Sequence, residues 1–193
     1  MKTPGVYIVE KSAFPNSVVE APTAIPAFIG ITEKAVNGAD TLSGKPWKIT
    51  SMTEFQQYFG GAPAPEFRLS VVDYPEKDAS KTFYGIPSPD KSKLLRVEAP
   101  EVTFSLYYQM VMFFANGGGT CYIVSAGTYD QKSLIDKEKV VAALTALKKE
   151  QEITMVLVPE AVSVDECKDI QTQVLAHCGE MMNRFAILDV QPK

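Results

Sequence analysis

The sequence predicts an α/β protein with a parallel sheet at its centre, and two features of residues 98–193 carry this prediction. Short apolar runs have the composition of buried strands, and they lie at 120–125, 153–158 and 185–190. Two helical segments separate these runs along the chain. Because the connections are long enough for right-handed crossovers, we expect a βαβαβ unit.

Both helical segments have recognisable sequence signals. The first spans 136–150 and places its apolar residues at helical spacing. Those residues are Val140, Ala143, Leu144 and Leu147. The second is predicted to begin at a capping box, in which Ser163 and Glu166 stand three residues apart, and to run to about Met182.

A further helix is predicted before this unit, over 102–115, since apolar residues recur at 102, 106, 110, 113 and 114. The glycine-rich stretch 116–119 ends it. We expect most of its aromatic side chains in the core, and one side against another subunit or the insertion if the helix is apolar nearly all round. The aromatic residues are Phe104, Tyr107, Tyr108, Phe113 and Phe114.

Residues 23–61 are predicted to belong to the same core. The run 23–31 is typical of a strand, in which Pro26 indicates an edge strand or an irregular start. A capping box at Ser51 and Glu54 opens a short helix, and Gly60 with Gly61 ends it. The apolar face of that helix consists of Phe55, Tyr58 and Phe59.

Residues 62–97 differ in character from the core, being rich in proline and charge. Within them, 81–86 and 93–97 are predicted to pair as a hairpin across 87–90. A structureless loop of this length is unusual in a compact domain. We therefore interpret the region as a surface insertion, either a proline-rich loop or a small β subdomain.

Residues 1–22 are predicted to form an N-terminal arm and its linker. Val6 and Ile8 fall on one face of an extended strand, and Tyr7 and Val9 on the other. Such a strand suits addition to a neighbour's sheet edge or an edge position in its own domain. The candidate subunit-contact residues are Pro4, Gly5, Val6, Tyr7, Ile8, Val9 and Glu10.

Composition argues against several classes of protein. The net charge is −4, and Lys148–Lys149 is the only adjacent basic pair, so the basic stripe of a nucleic-acid binder is missing. No apolar run reaches the ~18–20 residues of a membrane span, and the N-terminus lacks a secretory signal, so we expect assembly in a cytoplasm. Cys121, Cys167 and Cys178 are expected to be core residues.

Catalytic and cofactor chemistry finds little support in the sequence. After the strand at 120–125 stands the single Gly127, whereas a phosphate loop needs several glycines between strand and helix. His177 is interpreted as a partly exposed helix residue, and a triad with Ser125 and Asp189 has no local support. Asp189 either serves a function at its strand end or caps a turn. We expect no catalytic residue, cofactor or metal.

Five stretches resemble, in the same order, segments of contractile tail sheath proteins. They are TPGVYIVE at 3–10, APTAIPAFIGITEKA at 21–35, ITSMTEFQQYFGG at 49–61, LYYQMVMFFANGGGTCYIVSAG at 106–127 and AHCGEMMNRFAILDV at 176–190. This family includes the sheaths of phage tails and of extracellular contractile injection systems. The stretches KSAFPNSVVEAPTAIPAFIG at 11–30 and KPWKITSM at 45–52 most resemble the sheaths of injection systems of the antifeeding-prophage type. The insertion at 62–97 has no counterpart in this resemblance.

The resemblance implies a structural subunit that polymerises with itself around an inner tube protein. It implies contraction on a baseplate signal, which drives the tube through a target membrane, and a final location in an extracellular particle or virion tail. N- and C-terminal arms would stitch neighbours together, and we expect the natural chain to continue past Lys193. Sheath paralogues are expected partners. The alternatives are a sheath-terminal or baseplate-adjacent variant and, with less support, an α/β nucleotide-binding protein or hydrolase.

Overall fold

The computed structural model describes residues 23–64, 67–73, 85–90, 92–98, 104–129 and 135–191. The strands are β1 (Pro26–Thr32), β2 (Val36–Asn37), β3 (Asp40–Thr41), β4 (Trp47–Ile49), β5 (Arg68–Asp73), β6 (Gly85–Pro87), β7 (Lys93–Glu98), β8 (Cys121–Thr128), β9 (Met155–Leu157) and β10 (Phe185–Ile187). The helices are α1 (Met52–Phe59), α2 (Leu106–Ala115), α3 (Lys137–Leu147), α4 (Cys167–Met181) and a 3₁₀ helix (Pro159–Ser163).

A five-stranded sheet forms the centre of the fold, in the order β10-β9-β1-β8-β4. The first four strands run parallel to one another, and β4 joins β8 in the antiparallel sense. The chain segments β8, α3, β9, α4 and β10 give the βαβαβ order. The predicted α/β class with a parallel sheet is confirmed.

Helices cover the sheet on both faces, and alternate side chains of its strands reach opposite layers. Ala27 and Ile29 of β1 pack with the residues of α3 and α4, such as Leu144 and Val174. Phe28 packs on the other side with α1 and α2. The apolar face predicted for α3 is confirmed, since Val140, Ala143, Leu144 and Leu147 are all buried.

The strand β1 lies in the middle of the sheet, hydrogen-bonded to β8 on one side and to β9 on the other. The interpretation of Pro26 as a sign of an edge strand is wrong. Pro26 is the first residue of β1, a position in which a strand tolerates proline. The alternative, that proline marks where the strand starts, fits the structure.

The two predicted capping boxes had different outcomes. Ser51 is the N-cap of α1 and its hydroxyl accepts from the Glu54 N–H at 3.2 Å, and Gly60 ends the helix with a φ of 89°. The box at Ser163 and Glu166 is wrong, because Ser163 is the last residue of the 3₁₀ helix that starts at Pro159. The carboxylate of Glu166 accepts instead from the Lys137 N–H, at 3.1 Å, in the first turn of α3.

The helix α2 is shorter than predicted and less buried. It starts at Leu106, and Leu106 and Met110 are its buried residues. The aromatic side chains around them are half-buried, and Tyr108 is exposed. Most of the aromatic cluster therefore lies at the rim of the core, where Tyr107, Phe113 and Phe114 pack against the buried residues.

Residues 68–98 contain a three-stranded antiparallel sheet in the order β5-β7-β6. The pairing of β6 with β7 includes part of the predicted hairpin, with Ile86 opposite Leu95. The prediction missed β5, which pairs with β7 over six residues.

The predicted arm and linker, 1–22, lie outside the described residues. None of the described helices has the length and apolar character needed to cross a bilayer.

Candidate functional site

The crevice between the carboxyl ends of β1 and β9 is the position in this topology where α/β proteins bind ligands. From β1 the chain continues to β8 on one side, and from β8 it crosses to β9 on the other side of β1. Such a reversal leaves a crevice between the two strands, beside the first turn of a helix. The helix here is α2, and the 3₁₀ helix follows directly after β9.

The carboxylate of Glu160 occupies this crevice. Glu160 is 1% exposed. One carboxylate oxygen accepts from the Ile31 N–H at 2.8 Å, and the other accepts from the Ser105 and Leu106 N–H groups at 3.1 and 3.3 Å. These last two donors begin α2, where a bound phosphate would otherwise receive its hydrogen bonds. The chain thus supplies its own anion to the helix terminus.

The local backbone explains why a side chain is needed there. The pairing of β1 with β8 shifts register between Gly30 and Ile31, which leaves a buried N–H to be satisfied. Ser105, the N-cap of α2, makes no side-chain capping bond. A Cβ at Gly30 would lie 3.0 Å from Leu106 and 3.2 Å from the Glu160 carboxylate, so the crevice has no spare room.

Burial dominates the electrostatics of this carboxyl group. Burial raises the pKa of Glu160 from 4.5 to about 7. The three backbone N–H donors stabilise the ionised carboxylate and so act in the opposite direction, lowering this pKa. Tyr129 lies beside it, with its ring stacked on Phe104 at 4.8 Å between centroids. Burial, followed by the charge of Glu160, raises the pKa of Tyr129. The phenol donates to the Gly61 carbonyl at 3.2 Å.

Ser125 is buried near the same end of the sheet. Its hydroxyl lies 2.7 Å from the hydroxyl oxygen of Thr32 and 3.0 Å from the Gly127 carbonyl oxygen, and it donates its single proton to one of these two oxygens. The Thr32 hydroxyl donates to the Lys34 carbonyl at 2.7 Å. Both hydroxyls are therefore engaged with the chain, and this pair joins the ends of β1 and β8.

His177 lies elsewhere, beside Arg184 at the start of β10, and is 4% exposed. The prediction that His177 is partly exposed is wrong, because α4 packs this side chain against the C-terminal part of α3. Arg184 donates to the His177 Nε2 at 3.3 Å, and arginine has no acceptor, so the ring is neutral with its proton on Nδ1. Burial, then the charge of Arg184, lowers the pKa of His177.

The structure does not bring Ser125, His177 and Asp189 together as a triad. Ser125 bonds with Thr32 and His177 with Arg184. Asp189 is exposed, and its backbone carbonyl accepts from the Gln171 side chain at 2.7 Å. Each of the three has another role in the fold.

The cysteines are three free thiols: Cys121 and Cys167 are buried, and Cys178 is half-buried. Their predicted place in the core is confirmed for the first two. Burial raises the pKa of Cys121 to about 12, so its thiol stays protonated and unreactive. In the described ranges no cluster of three or more histidine, cysteine or acidic side chains is placed to hold a metal ion.

Sequence reasoning missed two residues that complete the fold around these sites, Glu160 and Arg184. Glu160 follows Pro159 just after the run 153–158, and a polar residue directly after a buried parallel strand is the signal that marks it. Arg184 stands in the stretch 176–190, directly before an apolar run, where a single arginine carries no local signal of burial. Each side chain acts over a long sequence separation, which local patterns do not reveal.

The two edges of the central sheet differ in what they offer to another chain. β4 forms one edge and carries Lys48, which pairs with Glu152 at 2.7 Å. Charges on an edge strand, lysine above all, discourage strand addition. β10 forms the other edge with Phe185 and Ile187, which are 56% and 46% exposed. In the described part of the chain, no strand pairs with the outer side of β10.

The candidate contact residues from Pro4 to Glu10 lie outside the described residues, so their partner stays a prediction. No protein-family model matches the chain, and a search among curated proteins finds no match either. The class that the fold defines is an α/β protein with a mostly parallel five-stranded sheet flanked by helices.

Proposed function

We propose that the protein is a structural subunit of a contractile sheath, which polymerises around an inner tube and contracts to drive the tube through a target membrane. The observation that carries this proposal is the apolar edge at β10, because no strand among the described residues pairs with its outer side and an added strand could bind its backbone groups there. The occupant we propose is the N-terminal arm of a neighbouring copy, residues 4–10. Six residues in β geometry reach ~20 Å.

The closed crevice supports a structural role over a nucleotide-binding one. The backbone N–H groups at the start of α2 already bond with the Glu160 carboxylate. A phosphate placed there would have to displace a buried anion of the same chain. The proposed subunit thus retains an α/β core as a rigid body, while its arms and sheet edge make the lattice.

Partners follow from this assembly. They are further copies of the chain, the inner tube protein, and baseplate or paralogous sheath proteins. We propose no role for nucleic acid and no insertion into a membrane by this subunit. The proposed final location is an extracellular, phage tail-like particle or a virion tail, assembled beforehand in a bacterial cytoplasm.

The test is negative-stain electron microscopy of the chain expressed alone, beside a copy lacking residues 1–10. We expect hollow tubes from the first and none from the second, with equal melting temperatures showing that the shortened copy still folds. Loss of folding in the shortened copy would instead place the strand within its own domain.

Two other results would change the proposal. Tubes from both proteins would keep the sheath subunit and remove the role of the arm. Monodisperse particles from both would contradict a subunit that polymerises alone. In that case a sheath-terminal or baseplate-adjacent variant is tested by adding sheath ends, and the enzyme alternative by nucleotide-dependent melting.

A further inference from the structure

His177 and Arg184 make a buried contact that becomes a pair of like charges in acid. Arg184 donates from Nη1 to the His177 Nε2 at 3.3 Å, and the two residues are 4% and 7% exposed. A neutral imidazole accepts this hydrogen bond, whereas an imidazolium carries a proton on both ring nitrogens and accepts none. Arginine keeps its charge at ordinary pH. Protonation of His177 therefore replaces a hydrogen bond with repulsion between two cations.

The surroundings of the ring do not compensate for a charge on it. Among the described residues, none accepts from the buried Nδ1 of His177. Two further charged groups act on the ring, Lys148 at the end of α3 and Glu180 on α4, and they pair with each other at 2.7 Å. The Cys178 thiol stays neutral, because burial raises its pKa. Lys148 and Glu180 oppose each other in their effect on an imidazolium, so the charge of Arg184 is left to disfavour it.

Arg184 connects this contact to the edge of the central sheet. It directly precedes β10, and its guanidinium also donates to the Leu147 and Glu150 carbonyls at the end of α3. β10 has three residues and, in the described part of the chain, pairs with β9 alone. Segments held by few contacts open locally at a lower free energy than the core. Displacement of Arg184 thus loosens β10 before it loosens the inner strands.

We propose that His177 is an acid-sensitive switch, whose protonation displaces Arg184 and releases β10 from the edge of the central sheet while the inner strands stay paired. The switch is a property of one chain and operates whether or not copies assemble. Only its consequence for a neighbour's strand at β10 rests on the proposed function: acid would withdraw the edge to which that strand binds.

The experiment is hydrogen exchange of the backbone amides, measured on the full chain in dilute solution at about pH 7 and about pH 5.5, on either side of the ordinary histidine pKa. The reporter is the Phe185 N–H, which donates to the Thr154 carbonyl at 3.0 Å. The reference is the set of amides in β8, which lies inside the sheet between β1 and β4. Each rate is divided into the intrinsic rate at the same pH, so the direct effect of pH on exchange cancels.

We expect the protection of Phe185 to fall several-fold in acid while that of β8 is unchanged. The limit is about eightfold, for a ring that regains the ordinary pKa of 6.5 on release. His177→Gln keeps an acceptor for Arg184 but takes up no proton, so its Phe185 protection should not change with pH. Glu160→Gln, which lacks the other buried group that titrates near neutrality, should respond like the wild type.

Three results would overturn the switch. They are an unchanged protection of Phe185 in the wild type, a fall of equal size in β8, and the same fall in His177→Gln.

A second measurement serves if His177→Gln does not fold. His177 is the only histidine of the chain, so the imidazole signals in a proton NMR spectrum belong to it. We expect these signals to give a pKa below the ordinary 6.5, because burial and the charge of Arg184 lower it, and the Phe185 amide signal to change over the same pH range. A pKa at or above that value, or a Phe185 signal that does not follow the ring, would contradict the inference.

Discussion

At the scale of single residues, Glu160 shows how one side chain decides what a crevice can do. A buried carboxylate without partners is strongly unfavourable, and hydrogen bonds from backbone N–H groups offset part of that cost. Here the donors come from a register shift in β1 and from the first turn of α2. The same three bonds close the crevice and join three elements, so Glu160 stabilises the structure at the place where an enzyme would bind its ligand.

The raised pKa of Glu160 predicts a specific pH dependence of stability. The unfolded chain releases this proton near pH 4.5, and the folded chain holds it until about pH 7. Because the folded state binds more protons in this window, the free energy of unfolding falls as pH rises through it, by up to about 3 kcal/mol. Glu160→Gln should remove this contribution, as measured by urea unfolding at several pH values.

His177 gives an opposite slope, since its lowered pKa makes acid destabilising. That contribution is common to both proteins, so the difference between the wild-type and variant profiles isolates Glu160. Glu138→Gln, an exposed substitution in the first turn of α3, serves as the control and should leave the slope unchanged. Equal slopes in the wild type and in Glu160→Gln would contradict the assignment.

At the scale of elements, side chains from distant segments complete the ends of α3. Glu166 accepts from a backbone N–H in its first turn. Arg184 donates to the carbonyls of Leu147 and Glu150 at its other end, at 3.2 and 2.8 Å. A helix leaves such groups unpaired at both ends. Arg184 therefore couples the end of α3 to the start of β10.

Removing Arg184 should cost far more than removing an exposed lysine. Arg184→Ala removes the side-chain donor to the Glu150 carbonyl and one of the two donors to the Leu147 carbonyl, which also accepts from the Glu150 N–H. We therefore expect the free energy of unfolding to fall by roughly 2–4 kcal/mol. Lys148→Ala breaks the exposed pair with Glu180, at 2.7 Å, and should cost less than ~1 kcal/mol. Urea unfolding measures both, and similar losses would show that Arg184 does not join these elements.

At the scale of the whole molecule, the two sheet edges decide how copies can meet. The edge at β4 carries a charged side chain, Lys48, which pairs with Glu152. The edge at β10 instead carries the exposed apolar side chains of Phe185 and Ile187. A strand of a neighbour is therefore expected at β10. A core of three layers, with helices on both faces of the sheet and one receptive edge, suits the proposed subunit, whose body would rotate while its connections persist.

A charge placed on β10 should block assembly without unfolding the subunit. Ile187→Lys puts an ammonium on the receptive edge, and charged edge strands discourage pairing. We expect no tubes from this variant in negative stain, with a melting temperature close to the wild type. Leu175→Lys, at a similarly exposed position on α4, should still form tubes. Tubes from both variants would move the neighbour's strand away from β10.

Local sequence patterns predicted most of the helices and strands of the core, but few of the long-range side-chain contacts that join them. The apolar spacing in α3 and the capping box at Ser51 predicted both helices, because amphipathic faces and caps depend on neighbours three or four residues away. The box at Ser163 failed, since Pro159 begins a 3₁₀ turn that uses the same residues. The short strand β5 was missed because its partner β7 lies beyond it in the chain.

The sequence by itself determined the class of this protein, an α/β chain in which buried strands alternate with amphipathic helices, because side-chain period and turn chemistry are local properties. The tertiary structure alone decided the central place of β1, the burial of His177 and the closure of the crevice by Glu160. Those features depend on strand order, which brings Glu160 and Ile31 together across 129 residues of chain. Long-range pairing of this kind leaves no periodic mark in the sequence.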